Sequence, residues 1–516
     1  MTGHGVDHAP LPADNGGAPT RNPPILPLKG QGRSGRRACS GPLRALGLGT
    51  TGPDPKSRFQ CLSGLGAPTL RLGLWEGSNR CRRVLGRSCL PRLKNKAKNK
   101  PNRLITDLQG TNTNVVNGSA PNRWLGLNWQ LGLSTGWGVL GLNIAHAMEV
   151  DGRYKPVPLS QAESIGCQRF DLKQTVSQLN ARSHQVGQLF HSRKPGTVRC
   201  EFPVLHSLGN NIHMEGLPKQ REVDSEGSVN YAICVFEYDL SNEFTLENAA
   251  KFELVFGGCR WNQEVLKKHG VPNTDLFLHG VDSGLFYPRR KKNQNRFIVF
   301  SGGKLEYRKG QDIVVAAFRQ FAERHTDAVL ATVWNNPWID SAESIALGGH
   351  VDGEVGVDDK GCLRIVDWAV RNGIPPGQII DFGLVPNESM PEIYRQASVA
   401  VFASRCEGGT NMMAMEAMAS GVPCILSANT GHLDLLSDDN CFPLLKQGKQ
   451  PAVAGLAGKQ EWGETDVDEL VETLERVYLE RAEAERRGVQ AAKLMQDWTW
   501  EKRTKPLIDR MRRVAS

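Results

Sequence analysis

None of the 12 cysteines forms a Cys-x-x-Cys pair, and none has the Cys/His spacing of a zinc site. In a chain of 516 residues that argues for reduced thiols packed as small apolar groups in a reducing compartment, and against a disulfide scaffold. Long apolar runs are also missing. The one uncharged stretch long enough to cross a bilayer, residues 124–148, is interrupted by Gly, Asn, Gln, Ser and Thr, so no membrane span is expected. No Asp-x-Asp metal cradle is read at a strand end, and the acids of the Gly/Asp-rich stretch 348–361 do not follow a calcium-loop pattern. Neither a metal nor a cofactor is expected.

Acidic residues are scarce in one region only. Residues 1–104 hold 19 Lys/Arg against 4 Asp/Glu, whereas the remainder holds 44 against 50. The net charge of +9 therefore belongs to the N-terminal extension and says little about the body. That extension is rich in Gly, Pro, Arg and Ser and shows no period of 2 or 3.6. Burial there cannot offset chain entropy, and residues 1–118 are expected to be disordered. An Arg-rich targeting peptide is a second reading, opposed by Asp7 and Asp14. A polyanion tether resting on Lys94-Asn-Lys-Ala-Lys-Asn-Lys100 is a third. No nucleic-acid partner is expected.

The rest of the chain alternates strand-like and helix-like segments over a length that calls for two domains. Its most ordered signal is Ser404-Arg-Cys-Glu-Gly-Gly-Thr-Asn-Met-Met-Ala-Met-Glu-Ala-Met-Ala-Ser-Gly-Val-Pro423. A β-branched run, Ala397-Ser-Val-Ala-Val-Phe-Ala403, precedes it as a buried strand. Thr410 and Asn411 are good N-caps, residues 412–419 propagate a helix, and Gly421 stops it before the strand Cys424-Ile-Leu-Ser427. Such a βαβ unit points free N–H groups and a positive helix end above the sheet, which suits an anion.

The same alternation is read on either side. Residues 124–133 alternate as a strand, Ser134-Thr-Gly-Trp-Gly138 is a glycine turn, and 140–150 reads as a helix. Strand-like runs follow at 154–158, 202–206, 231–237 and 252–256, with a helix after Gly257. Residues 297–300 restart the pattern as a strand, followed by the loop Ser301-Gly-Gly-Lys-Leu-Glu-Tyr-Arg-Lys-Gly310 and a helix over 312–324. Strands are expected at 328–334 and 379–383, and one amphipathic helix over 466–487.

Glu416-Ala-Met-Ala-Ser-Gly-Val-Pro423 resembles the donor-sugar signature of the retaining "group 1" GT-B glycosyltransferases, usually Glu-x7-Glu followed by Ala-Met-Ala-x-Gly-x-Pro. Here eight residues separate Glu407 from Glu416, so either the turn holds one extra residue or Gly408 takes the first-Glu place. Gly257-Gly-Cys-Arg-Trp-Asn262 is similar to the family's small-Ser-x-Trp-Asn element, and Leu278-His-Gly-Val-Asp282 to its interdomain connector. The resemblance implies a GT-B α/β fold, with two doubly wound Rossmann-like domains facing across a cleft. It divides the chain into an acceptor-side domain at 119–285, a donor domain at 286–495 and a terminal helix at 496–516 that crosses back.

The implied activity is transfer of a sugar from a nucleoside-diphosphate sugar to an acceptor hydroxyl with retained anomeric configuration. Glycan or polysaccharide assembly is the implied setting, in the cytoplasm or peripherally at a membrane. The acceptor, whether glycan, lipid-linked or small, is left open. By the same match, Lys304 and Lys309 stand where the family carries its phosphate-binding Arg and Lys, with Arg308 able to substitute in the loop that Gly303 opens. Glu407, Gly408, Gly409, Thr410 and Asn411 would hold the sugar, Glu416 the ribose diol, and Gly136 and Gly138 would approach the diphosphate. His206 is the candidate on the acceptor side, with a structural histidine an equal alternative, and Glu237 is a weaker one. An epimerase of the same architecture and a non-catalytic sugar-nucleotide or polyanion binder are the competing readings.

Overall fold

The computed structural model describes residues 114–115, 123–190, 196–213, 223–238, 240, 242–289, 295–336, 338–450 and 461–515. The expected disordered extension lies outside the described residues except for Asn114–Val115. That short strand pairs in parallel with Val198 and Arg199, in a small side sheet completed by Val223–Glu226.

The first domain is built on six strands: β1 (Trp124–Asn128), β2 (Lys155–Pro158), β3 (Val204–Leu208), β4 (Asn230–Cys234), β5 (Leu254–Gly257) and β6 (Thr274–Leu276). They lie in the order β2-β1-β3-β4-β5-β6, every pair parallel. The second domain repeats the plan with β7 (Phe297–Gly303), β8 (Ala328–Trp334), β9 (Ile379–Asp381), β10 (Val399–Phe402), β11 (Cys424–Ser427) and β12 (Phe442–Leu444). Here the order is β9-β8-β7-β10-β11-β12, again all parallel. Central strands such as β8 and β10 are buried at every position, as strands covered by helices on both faces must be.

In the second domain the chain reverses direction across the sheet between β7 and β10. The crevice beyond their carboxyl ends is where doubly wound sheets bind ligands. Two helices open there: α1 (Gln311–Arg324) after β7 and α2 (Met412–Ala419) after β10. The loops leading into them touch. A Cβ at Gly310, which has φ +65°, would lie 2.0 Å from Ala403 O, so only glycine permits that approach. Arg405 N then donates to Arg308 O at 2.8 Å.

Two chain crossings join the domains. Val281 pairs with Thr499, and its N–H donates to Trp498 O at 2.8 Å. The last helix, α3 (Trp500–Ala515), buries Trp500, Leu507, Ile508 and Met511 in the core of the first domain, where Tyr231 Oη donates to Met511 O at 3.0 Å. The single helix expected over 466–487 is two, Val467–Leu479 and Arg481–Met495. Glu480 breaks it at φ −98°, ψ 55°, so amphipathic periodicity alone missed a bend between two helical segments. Among the described residues no helix is long and apolar enough to cross a membrane.

Candidate functional site

The loops after β7 and β10 bring five charges together, and Glu237 of the first domain adds a sixth. Lys309 Nζ donates to both oxygens of Glu407, at 2.8 and 2.6 Å. Arg308 donates to Cys406 O at 3.0 Å, to Glu407 at 3.4 Å and to Glu306 at 2.6 Å. Across the cleft it lies 3.5 Å from Glu237 of the first domain. Lys304 pairs with Glu306 at 3.0 Å and carries its ammonium 5.1 Å over the Trp338 ring.

Burial alone would raise the Glu407 carboxyl, but Lys309 and Arg308 beside it pull it down to about 2. Glu306 follows the same pattern: Arg308 and Lys304 outweigh its burial and hold it below the usual carboxylate range. Burial lowers the Lys309 ammonium, with Glu407 opposing. Three cations, Lys304, Arg308 and Lys309, face three carboxylates, Glu237, Glu306 and Glu407.

One buried guanidinium fixes the two loops to each other. Arg405, 0% exposed, donates to Tyr307 O at 2.6 Å, to both oxygens of Asp312 at 2.8 and 2.7 Å, and to both of Glu464 at 2.6 and 2.7 Å. It also stacks 3.9 Å over the Tyr307 ring. Five donors in a planar fork suit this set of acceptors, and a lysine could not replace it.

The turn before α2 is held by side-chain hydrogen bonds. Asn411 takes φ +54° as N-cap of α2, and its side chain accepts from Ala414 N at 3.2 Å. The same amide donates to Glu407 Oε1 at 3.0 Å, to which Ser404 Oγ also donates at 2.6 Å. Glu407 lies beside Lys309, and Asn411 is left-handed, a conformation few side chains other than Asn tolerate. Thr430 Oγ1 accepts from Glu407 N at 2.8 Å. Gly408 is pressed against the first domain: a Cβ there would lie 2.5 Å from Phe236 O, and its carbonyl accepts from Cys259 Sγ at 3.3 Å. Cys259 also N-caps helix Arg260–Lys268, the task a serine would perform there. Thr410 Oγ1 turns inward, 3.1 Å from Met415 Sδ, rather than capping α2.

Further along α2, Glu416 is buried between Asn387 Nδ2 at 2.7 Å and Tyr394 Oη at 2.9 Å. Burial pushes its carboxyl up to about 7 against those two donors. Gly136 opens a helix in the first domain, and a Cβ on it would lie 3.5 Å from Met412 Cε at the head of α2. Gly138 faces its own loop instead, 3.0 Å from Gly132 O by the same measure. Gly303 closes β7 at φ +125°, with its missing side chain directed towards Lys309 Cδ.

His206 does not join this group. Its ring lies inside the first domain, 1% exposed, with Nδ1 2.9 Å from Asn128 Nδ2, Nε2 3.0 Å from Asn230 Oδ1, and Phe252 packed edge-on. The acceptor-side expectation for His206 gives way to a structural role. Glu237 is the first-domain carboxylate that does reach the cleft. Asp466-Val-Asp468 follows the short strand Gly463–Thr465, yet Asp466 serves as a helix cap, accepting from Glu469 N at 2.8 Å. Sequence reasoning missed Glu306, Arg405, Thr430 and His432. The first two sit inside quoted motifs as ordinary charged residues. His432 Nε2 lies 3.0 Å from Asn411 Nδ2 through a fold-level contact that no local pattern signals.

Comparison with known proteins bears on the fold. Residues 387–507 match a family model described as family 4 glycosyltransferase in conflict systems. The chain is 26% identical over 321 residues to mannosylfructose-phosphate synthase of Agrobacterium fabrum, covering 58% of this chain and 61% of that protein, so it spans about three-fifths of that relative's length. Sucrose-phosphate synthase of Thermosynechococcus elongatus superposes with a TM-score of 0.50 at 15% identity, over 76% of this chain and 100% of that one. Anabaena HepE in complex with UDP and glucose gives 0.49 at 14% identity, over 75% and 99%. Its two parallel sheets share the GT-B fold of that solved sucrose-phosphate synthase, and residues 387–507 are similar to family 4 glycosyltransferases.

Proposed function

We propose that the protein transfers a sugar from a nucleoside-diphosphate sugar to an acceptor hydroxyl, with retention and without a metal ion. The observation that carries this reading is the meeting of Lys309 and Arg308 with Glu407 at the head of α2, beyond the ends of β7 and β10. Departure of a nucleoside diphosphate builds negative charge on phosphate oxygens, and fixed cations beside a helix N-terminus stabilise it. Arg308 and Lys309 supply the cations, and the Gly408–Asn411 backbone supplies N–H groups. A diphosphate entering here exchanges carboxylate partners for phosphate ones, so Glu306 and Glu407 hold the cations in place until it arrives. Glu416 then meets the ribose diol.

With retention, the acceptor oxygen bonds to the anomeric carbon on the face that the diphosphate leaves. The carbon–oxygen bond to phosphate breaks, and the acceptor proton passes to the departing phosphate oxygen. No strong protein base is required, which agrees with the internal position of His206. Glu237 lies nearest the acceptor side.

The test is release of nucleoside diphosphate from a panel of donors in EDTA, with mannosyl donors first because of the curated relative's name. Acceptors should include phosphorylated sugars and glycans. Turnover that survives EDTA and disappears in Lys309→Ala and Glu416→Ala supports the reading. Donor binding without turnover on any acceptor favours a binding protein, and an altered donor sugar without acceptor favours an epimerase.

A further inference from the structure

Glu407 rests on the short 3-10 helical turn Thr430–Asp434, which follows β11. Thr430 Oγ1 accepts from Glu407 N at 2.8 Å, and Gly431 N donates to Glu407 O at 3.0 Å. A Cβ on Gly431 would collide with the Gly409 carbonyl and lie 2.7 Å from Glu407 O, so the two turns meet with no space between them. His432 comes next and is fully buried. Its Nε2 lies 3.0 Å from Asn411 Nδ2, and its Nδ1 lies 3.2 Å from Ser427 O and 3.0 Å from Ser427 Oγ. Ser427 Oγ donates to Ser404 O at 2.6 Å, and Ser404 Oγ donates to Glu407 Oε1 at 2.6 Å. Asn411 closes the circuit by donating to the same Oε1 at 3.0 Å.

The partners fix where the protons lie. Asn411 Oδ1 accepts from Ala414 N, which leaves both Nδ2 hydrogens to donate, one to Glu407 and one to His432. His432 Nε2 is therefore an acceptor. Burial holds the imidazole down to about 4, with Glu407 opposing, so near neutral pH the ring carries one proton. That proton sits on Nδ1 and is donated to Ser427. We infer that His432 is a positioning residue, which orients the Asn411 amide so that Asn411 and Ser404 together fix Glu407 for the transferred sugar. This rests on the reading of Glu407 as a donor-sugar contact. Lys309 and Arg308, the cations assigned to the diphosphate, lie outside the circuit, so the effect of His432 should fall on the sugar.

Equilibrium binding to the full chain tests this without an acceptor. The probes are UDP, GDP and ADP, and their glucose, mannose and N-acetylglucosamine conjugates. Wild type should bind at least one conjugate more tightly than its bare diphosphate. His432→Leu fills the space but accepts no hydrogen bond. It should weaken that conjugate about three- to tenfold, the range for one neutral hydrogen bond, and leave the diphosphate within about twofold. His432→Gln, whose amide oxygen can accept from Asn411, should recover part of the loss. Asn411→Gly keeps the left-handed backbone and deletes the amide. In that background His432→Leu should change conjugate affinity by less than about twofold, because the two side chains act in series. Three results would each overturn the inference, since packing alone would give them: equal loss for diphosphate and conjugate, multiplying losses in the double variant, or a His432→Gln no better than His432→Leu. An unchanged His432→Leu would overturn it as well, as would a wild type that gains nothing from the sugar. A wild type that binds none of the probes overturns the nucleotide-sugar reading itself.

Discussion

The two domains share a plan and divide the work. Each is a six-stranded parallel sheet, yet the cleft-facing loops of the second domain carry Lys304, Glu306, Arg308, Lys309 and Glu407, whereas the first presents Gly136, the Phe236 carbonyl, the Cys259 thiol, Glu237 and His279. The second domain supplies charge and the first supplies mainly shape. The placement of buried polar groups shows the same division. In the second domain Arg405 locks two site loops together, whereas in the first His206 ties strands to each other away from the cleft.

The largest effect should come from Arg405. Replacing it with alanine leaves Asp312 and Glu464 without their main cation and frees the Tyr307 turn. Removing one partner of a buried charge set costs about 3–5 kcal/mol. Denaturant unfolding should show that loss together with collapsed donor binding. A loss near zero would mean that the charge lock does not hold the second domain's loops. Lys309→Ala should act chiefly on rate, with a smaller stability cost because Arg308, Ser404 and Asn411 still hold Glu407. Removing one donor aimed at developing charge lowers kcat about 10²–10³-fold, read as nucleoside diphosphate release at saturating donor. A change confined to KM would assign Lys309 to ground-state binding alone.

The division was partly legible in the sequence, for a physical reason. The second domain's site lies in short runs where glycine, charge and helix start occur within ten residues of one another. Local pattern therefore placed α2 and the strands at 328–334 and 424–427 to the residue, while the resemblance pointed to Lys309 and Glu407, which lie within hydrogen-bond distance of each other. The first domain contributes through backbone atoms and missing side chains, which leave little mark on a sequence. His206 looked functional because it is polar near a strand end, yet its partners Asn128 and Asn230 lie 78 and 24 residues away and only the fold unites them.

Glu416 gives a smaller, pH-dependent effect on the charged side of the comparison. Burial pushes its carboxyl up to about 7, and the proposed contact with the ribose diol calls for the ionised form. Nucleotide-sugar affinity should therefore rise with pH up to about 7 and level off above it. Below 7 it should weaken by up to about tenfold per pH unit, which is the linkage limit for a single proton. Glu416→Gln should flatten that profile. Its stability contribution runs the opposite way: with the folded pKa raised above the ordinary 4.5, it is fully present below 4.5 and is lost as pH rises through about 7.

The smallest effect on turnover should come from His206, where the comparison is easiest to break. If the first domain contributed a charge-relay group, His206→Gln would remove it and cut kcat by about 10²-fold or more. The observed geometry predicts otherwise. Glutamine can still offer a donor and an acceptor to Asn128 and Asn230, so turnover should stay within about threefold of wild type, while stability falls by about 1–3 kcal/mol because the replacement cannot match both contacts. Measuring kcat and unfolding free energy on the same preparation separates the two. A rate loss without a stability loss would return His206 to the cleft and give the first domain a chemical role beyond shape.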